Sequence, residues 1–181
     1  MKSLRPALVM LTLFTILTGI VLPLAFVGIG KLAFPNQAGG SLVTVNGQVI
    51  GSSLIAQGFA QPKYFWPRPS AASYAADNSS GSNLAPTSAA LIKRVTGDVA
   101  KYGGANVPAD AVTTSASGLD PDISPAFAAL QVPRVAKARR IDPATLTQLV
   151  SAHTEGRWLG IFGEPRVNVL ELNLALDHAS S

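Results

Sequence analysis

Asp120 and Asp122, two residues apart, and the two histidines, His153 and His178, are the side chains of this chain best suited by type to acid–base chemistry. A close carboxylate pair can move protons or hold a metal. Here it lies in Gly118-Leu119-Asp120-Pro121-Asp122-Ile123-Ser124-Pro125. Asp and Pro at such positions set turns and lead into a helix, so the pair is expected to be structural. A Ser-His-Asp triad would need a histidine as base. His153 falls on a helical apolar stripe with Leu146, Leu149 and Val150, which predicts packing, and His178 sits at a chain end expected to fray. The chain lacks a Gly-x-Ser-x-Gly elbow, a Gly-x-x-x-x-Gly-Lys-Ser/Thr loop and any zinc-like ligand spacing. With no cysteine there is neither a thiol nucleophile nor a disulfide. Asn78-Ser79-Ser80 fits a glycosylation acceptor by spacing alone. The expectation is a chain with no catalytic residue, no metal ligand and no bound cofactor of its own.

The element that must position everything else is at the N-terminus. Residues 7–30 contain no charged side chain, and as a helix they would rise about 36 Å, enough to cross a bilayer core of about 30 Å. A cleavable signal has an apolar core of only about 7–15 residues and a small-residue cleavage site. Lys31-Leu32-Ala33-Phe34-Pro35 follows instead, so a retained anchor is expected. Lys2 and Arg5 precede it and only Lys31 closely follows, which predicts the N-terminus inside. Thr12, Thr15, Gly19 and Pro23 fall within about an 80° arc at 100° per residue, a small-residue face on which another membrane helix could pack closely.

Of 14 Lys+Arg, Lys2, Arg5 and Lys31 flank this run, leaving 11 against 10 Asp+Glu. Three of the four net positive charges thus belong to the membrane flanks, and the remaining +1 gives no case for nucleic-acid binding. Arg134, Lys137, Arg139 and Arg140 form the densest basic run, expected as a solvated or protein-facing helix side, with phosphate contact as the other reading.

Beyond the anchor, the expected plan is a linker at 31–41 and one mixed α+β domain at 42–181. Asn46-Gly47 predicts a hairpin with strands at 42–45 and 48–50. Residues 61–83 read as a proline-punctuated loop carrying Tyr64, Phe65, Trp66 and Tyr74, packed on its own core or on a partner. A helix is expected over 86–102, ended by Gly103-Gly104. Ser124-Pro125 and Asp142-Pro143 each read as a cap followed by proline at the first helical position, with Pro133 interrupting the first of these helices. Residues 166–176 alternate with a frame slip after Val169, suggesting a bulge or a strand giving way to a helical turn.

Several strings in order and spacing resemble the C subunit of the bacterial Kdp-type potassium-transporting P-type ATPase. They include Gly51-Ser52-Ser53-Leu54-Ile55-Ala56-Gln57-Gly58-Phe59, Tyr64-Phe65-Trp66-Pro67-Arg68-Pro69-Ser70 and Ser80-Gly81-Ser82-Asn83-Leu84-Ala85-Pro86. Ser117-Gly118-Leu119-Asp120-Pro121-Asp122, Arg134-Val135-Ala136-Lys137-Ala138-Arg139 and Val167-Asn168-Val169-Leu170 continue the pattern. The chain departs from it at Asp122, where the family usually has His, and at Ala85, Ala116 and Arg140, where it usually has Gly.

The resemblance implies an accessory subunit of an ATP-driven, high-affinity potassium uptake complex in the bacterial cytoplasmic membrane. Its partners would be a channel-like subunit, a P-type ATPase subunit and the lipid bilayer, with ATP and potassium handled by the complex. It also implies a chaperone-like effect on the ATPase subunit's ATP affinity. A domain outside the membrane cannot meet cytoplasmic ATP, so stabilisation of the complex and a cap near the potassium entrance fit the expected topology better. Tyr64, Phe65, Trp66 and Arg68 are the candidate partner contacts. Two readings of other classes stay open: an anchored envelope hydrolase using Asp120, Asp122, Glu155 or Glu164, and a homo-oligomeric anchored scaffold.

Overall fold

A computed structural model describes residues 3–179 except Ala105. Met1 and Lys2, which carry part of the orientation argument, lie outside the described residues. The chain divides into two compact units, Met1–Ser52 and Ser53–Ser181.

In the first unit, α1 (Leu4–Ile16), a π turn (Leu17–Val21) and α2 (Leu22–Ala33) make one continuous helix, Leu4–Ala33. It extends three residues past the uncharged run at each end and rises about 45 Å. No residue of its apolar window is buried, so its whole surface is open to lipid or to other helices. The π turn has an identifiable cause. Pro23 has no N–H to give the preceding turn, and its ring crowds that turn. Widening relieves both, with the Leu22 N–H bonding the Leu17 carbonyl five residues back. The Thr18 hydroxyl donates to the Phe14 carbonyl at 2.6 Å in the turn before.

A short helix α3 (Pro35–Ala38) leads to the hairpin β1 (Leu42–Val45) and β2 (Gln48–Ser52). The strands pair antiparallel around Asn46 and Gly47, whose φ angles are +51° and +78°. Two left-handed central residues make the tight turn that matches strand twist, which is why Asn-Gly stands there.

The second unit contains α4 (Ala89–Lys101), α5 (Ala109–Val112), β3 (Asp122–Ile123), α6 (Pro125–Arg139), α7 (Pro143–Ala152), β4 (Thr154–Glu155), β5 (Arg166–Asn168) and α8 (Val169–Ala179). A small antiparallel sheet of order β3-β5-β4 pairs Ile123 with Val167 and Thr154 with Val167. With the N-terminal helix this is the α+β architecture expected.

The core forms around α6. Phe127, Ala128, Gln131, Val132, Val135 and Ala136 are all buried, a stripe repeating every three or four residues. Ile123, Leu146, Val167, Leu172 and Leu176 close over it, together with Phe65 from the aromatic loop. Ser124 caps α6: its hydroxyl accepts from the Phe127 N–H at 3.0 Å and donates to Asp110 Oδ1 at 3.0 Å.

Two expectations need correction, and a third is settled between its alternatives. Pro133 does not interrupt α6. It lies on the exposed face, as does Ala129, whose carbonyl loses its intrahelical donor, so water can satisfy that group while the buried stripe holds both halves in line. The helix at 86–102 starts later, at Ala89, because Pro86–Ser88 is spent on a turn (Ser88 N–H to Ala85 carbonyl, 2.9 Å) and Ser88 is extended. Past Asn168 the strand gives way to helix, the second of the two readings for 166–176, and the helix runs 11 residues where only a turn was expected. Its inward residues, Val169, Leu172, Asn173 and Leu176, follow helical spacing.

Gly118 needs its lack of a side chain. Its φ is +70°, and a Cβ there would lie 2.6 Å from the Ser80 carbonyl oxygen.

Candidate functional site

The aromatic segment around residues 62–66 has no strand partner, so its peptide groups must find other ones. Five successive carbonyls are met by side chains. Arg134 Nη1 donates to the Pro62 carbonyl at 2.6 Å and the Tyr64 carbonyl at 3.0 Å. Arg139 Nε donates to the Lys63 carbonyl at 2.8 Å. Asn173 Nδ2 donates to the Phe65 carbonyl at 3.0 Å and Gln131 Nε2 to the Trp66 carbonyl at 3.0 Å.

The two amides also work in reverse. Asn173 Oδ1 accepts from the Phe65 N–H at 2.8 Å, and Gln131 Oε1 accepts from the Trp66 N–H at 2.7 Å. Each buried amide therefore imitates one residue of a neighbouring β-strand. Both are 1% exposed, and a buried polar side chain is tolerable only when paired this fully.

The aromatic rings are held as firmly. Phe65, a candidate partner contact by sequence, is instead completely buried in the core, because its ring fills space among the apolar residues of α6 and α8, and it leaves no surface for a partner. The Arg134 guanidinium lies 3.6 Å from the Trp66 ring centroid, a cation–π stack, and its Nη2 donates to Gln131 Oε1 at 2.6 Å. Burial pushes the Arg134 pKa down, but a guanidinium starts so high that it stays charged. Tyr64 donates its hydroxyl proton to Asp177 Oδ2 at 3.1 Å, and Arg139 reaches Asp177 Oδ1 at 2.5 Å.

Arg68 extends the bracket to the next turn. Its Nη1 donates to Asp120 Oδ2 at 2.9 Å, and Tyr74 donates to the Arg68 carbonyl at 2.8 Å. Asp120 Oδ1 takes the Asp122 N–H at 3.1 Å, the Asx turn its position implied.

Asp122 faces another set of groups. Arg166 Nε lies 3.3 Å from its Oδ2, and Asn168 Nδ2 donates to its Oδ1 at 3.2 Å. Burial pushes the Asp122 pKa up; Arg166 and Asn168 pull it down, while Asp120 and Glu155 push it further up. Glu155 accepts from Arg166 at 2.7 Å, and Glu164 is paired with Arg157 at 2.8 Å. The four acids weighed for hydrolysis thus each stand in an ion pair with an arginine. His153 is the C-cap of α7, its Nδ1 2.9 Å from the Leu149 carbonyl, and His178 is exposed on α8. Among the described residues no cluster of three or more His, Cys, Asp or Glu could hold a metal.

Of the basic run, Arg134 and Arg139 turn to the 62–66 segment, while Lys137 and Arg140 are exposed. The four do not converge on one free surface. Arg140 ends α6 in the left-handed region at φ +59°, a conformation that suits glycine best. Ala85 and Ala116 are not among the positive-φ residues. Gln131 and Asn173 were not singled out from sequence. Their signal was a polar amide within an apolar helical stripe, in Leu130-Gln131-Val132 and Leu172-Asn173-Leu174. In the anchor, Thr12, Thr15, Gly19 and Pro23 lie on the exposed helix, and a Cβ at Gly19 would meet nothing within 4 Å.

A protein-family model described as KdpC, K+-transporting ATPase, c chain, matches residues 4–178. The chain is 54% identical to the potassium-transporting ATPase KdpC subunit of Rhodopseudomonas palustris (strain BisB18), over 99% of each chain. It is 52% identical to the subunit of that name from Bradyrhizobium diazoefficiens, over 100% of this chain and 99% of the relative. It is 53% identical to that of Dechloromonas aromatica, over 99% and 100%.

Proposed function

Because the chain belongs to the KdpC family of K+-transporting ATPase c chains, we propose that it is the non-catalytic accessory subunit of an ATP-driven, high-affinity potassium uptake complex. It holds a channel-like subunit and a P-type ATPase subunit together in the bacterial cytoplasmic membrane. The observation that carries this reading is family likeness running from the apolar helix to α8, residues 4–178.

The helix Leu4–Ala33 is the anchor in this reading, with its N-terminus inside and the C-terminal unit outside, near the potassium entrance. Thr12, Thr15, Gly19 and Pro23 form its packing face toward a partner helix. Tyr64, Trp66 and Arg68 are the partner contacts from the aromatic segment, presented on a backbone fixed from behind by α6 and α8. Any effect on ATP affinity then passes through the ATPase subunit. The engagement of Arg134 and Arg139 with loop carbonyls supports this over a direct phosphate grip by the basic run.

Affinity purification through a tag on the full chain, in mild detergent, tests the assignment. Recovery of two larger membrane subunits, with restored growth at limiting potassium, is the expected result. A lone homomer would favour the scaffold, and hydrolytic activity in the purified chain would favour the enzyme. Protease added outside spheroplasts should digest the C-terminal unit; full protection would reverse the topology.

A further inference from the structure

Between Arg157 and Glu164 the chain makes a knuckle of unusual composition. Its tip reads Trp158-Leu159-Gly160-Ile161-Phe162-Gly163, with no charged side chain and only the indole N–H as a side-chain polar group. Trp158, Leu159, Ile161 and Phe162 are 70%, 70%, 74% and 58% exposed. Water alone gives no reason to gather four large apolar side chains on one outward tip.

The knuckle is nonetheless built. Trp158 and Phe162 form a β-bridge: the Trp158 N–H donates to the Phe162 carbonyl at 2.8 Å, and the Phe162 N–H returns to Trp158 at 3.0 Å. Gly160 and Ile161 donate to Arg157 and Trp158 carbonyls at 3.0 and 3.2 Å. The two rings lie 5.8 Å apart. At its base, Arg157 Nη2 lies 2.9 and 2.8 Å from the two oxygens of Glu164, so the flanking charges cancel.

We propose that this knuckle is a second membrane contact of the chain, seating Trp158, Leu159, Ile161 and Phe162 in the interfacial layer of the lipid bilayer that the N-terminal helix spans. Three observations favour lipid over a protein occupant. Four tip N–H groups, those of Trp158, Gly160, Ile161 and Phe162, are bonded inside the knuckle, which lowers the cost of taking its backbone out of water. The tip offers almost no polar side chain by which a protein partner would set register, whereas tryptophan beside aliphatic residues is the composition of membrane–water interfaces. The covalent link also limits how far the second unit can stray from the bilayer. About 20 residues separate Ala33 from Ser53, a reach of at most roughly 70 Å if fully extended, and much of that length is folded into α3 and the hairpin.

The test uses the full chain reconstituted into phosphatidylcholine vesicles with brominated acyl chains, reading the fluorescence that Trp158→Phe removes. The Trp158 emission should be shifted to the blue, quenched by the brominated lipid and protected from aqueous iodide. Partial replacement by phosphatidylglycerol should change none of this, because the knuckle's base is neutral. The Ile161→Ser/Phe162→Ser double variant should keep the wild-type melting temperature and lose the quenching. Emission open to iodide and blind to bromine overturns the proposal. So does a fall in melting temperature of the double variant, which would place the tip in the fold. In the complex with its partner subunits, quenching should persist; shielding from both quenchers would mean a protein subunit covers the tip, and overturns the lipid assignment. Carbonate washing separates the premises. A chain that washes off loses anchor and proposal together, while one retained with unquenched Trp158 loses the proposal alone.

Discussion

The side-chain amides of Gln131 and Asn173, on two different helices, clasp the peptide groups of neighbouring residues, Trp66 and Phe65. An apolar side chain of similar size at Asn173 strands the buried N–H and C=O of Phe65, and one at Gln131 strands the part-buried N–H and C=O of Trp66. Each stranded group costs about 1–3 kcal/mol. Asn173→Leu is therefore expected to lower unfolding free energy by about 2–5 kcal/mol, read from denaturant titration of the solubilised chain. A loss under about 0.5 kcal/mol, the scale of an ordinary surface change, would show that the clasp contributes nothing.

Arg140 predicts the opposite sign. A non-glycine residue in the left-handed region carries a cost of about 1–2 kcal/mol, part of which glycine returns through its own flexibility in the unfolded chain. Arg140→Gly should raise stability by about 0.5–1 kcal/mol in the same titration. No gain would mean that the exposed guanidinium supplies a compensating contact.

Asp122 should leave a signature in pH. Burial raises its folded pKa, so the folded chain binds this proton more tightly than the unfolded chain does. Its contribution to stability is then full below the unfolded aspartate pKa of about 3.9 and is lost as pH rises through the folded value. Asp122→Asn removes that dependence. The stability difference, wild type minus variant, should fall with rising pH on the alkaline side of about pH 4. A difference that rises instead would mean that Arg166 outweighs burial at this carboxylate.

Gly19 connects the anchor to assembly. Its Cβ position is open, so a larger side chain meets nothing in this chain. Gly19→Leu should insert and fold like wild type yet recover less of the other subunits in mild detergent, because close helix approach is lost. Leu17→Ile should change little. Unaltered recovery with Gly19→Leu would leave that face to lipid.

What the sequence made readable was local chemistry. Asn46-Gly47 specified the hairpin, Ser124-Pro125 the start of α6, and the uncharged run the long helix. The clasped loop was beyond reach, because its donors lie 65 to 108 residues away along the chain and no local pattern announces them. The switch from strand to helix at α8 is legible only as one of two readings, for a related reason. Asn173 occupies an inward position with a polar side chain, which hid the helical period and left alternating leucines to imitate a strand. Pro133 misled because a proline's damage depends on which face it occupies, and that is settled by packing.

The loop at 62–66 also has a consequence for how its order is inherited. Strands in a sheet bond through main-chain atoms that every residue but proline carries, so their ladder survives most changes of side chain. Here each tie begins at a side chain, of Gln131, Arg134, Arg139 or Asn173. A single base change can erase one, and no neighbouring residue can take its place. The posture of this segment is thus written in four separate codons on two helices, and it can drift only if those positions drift with it.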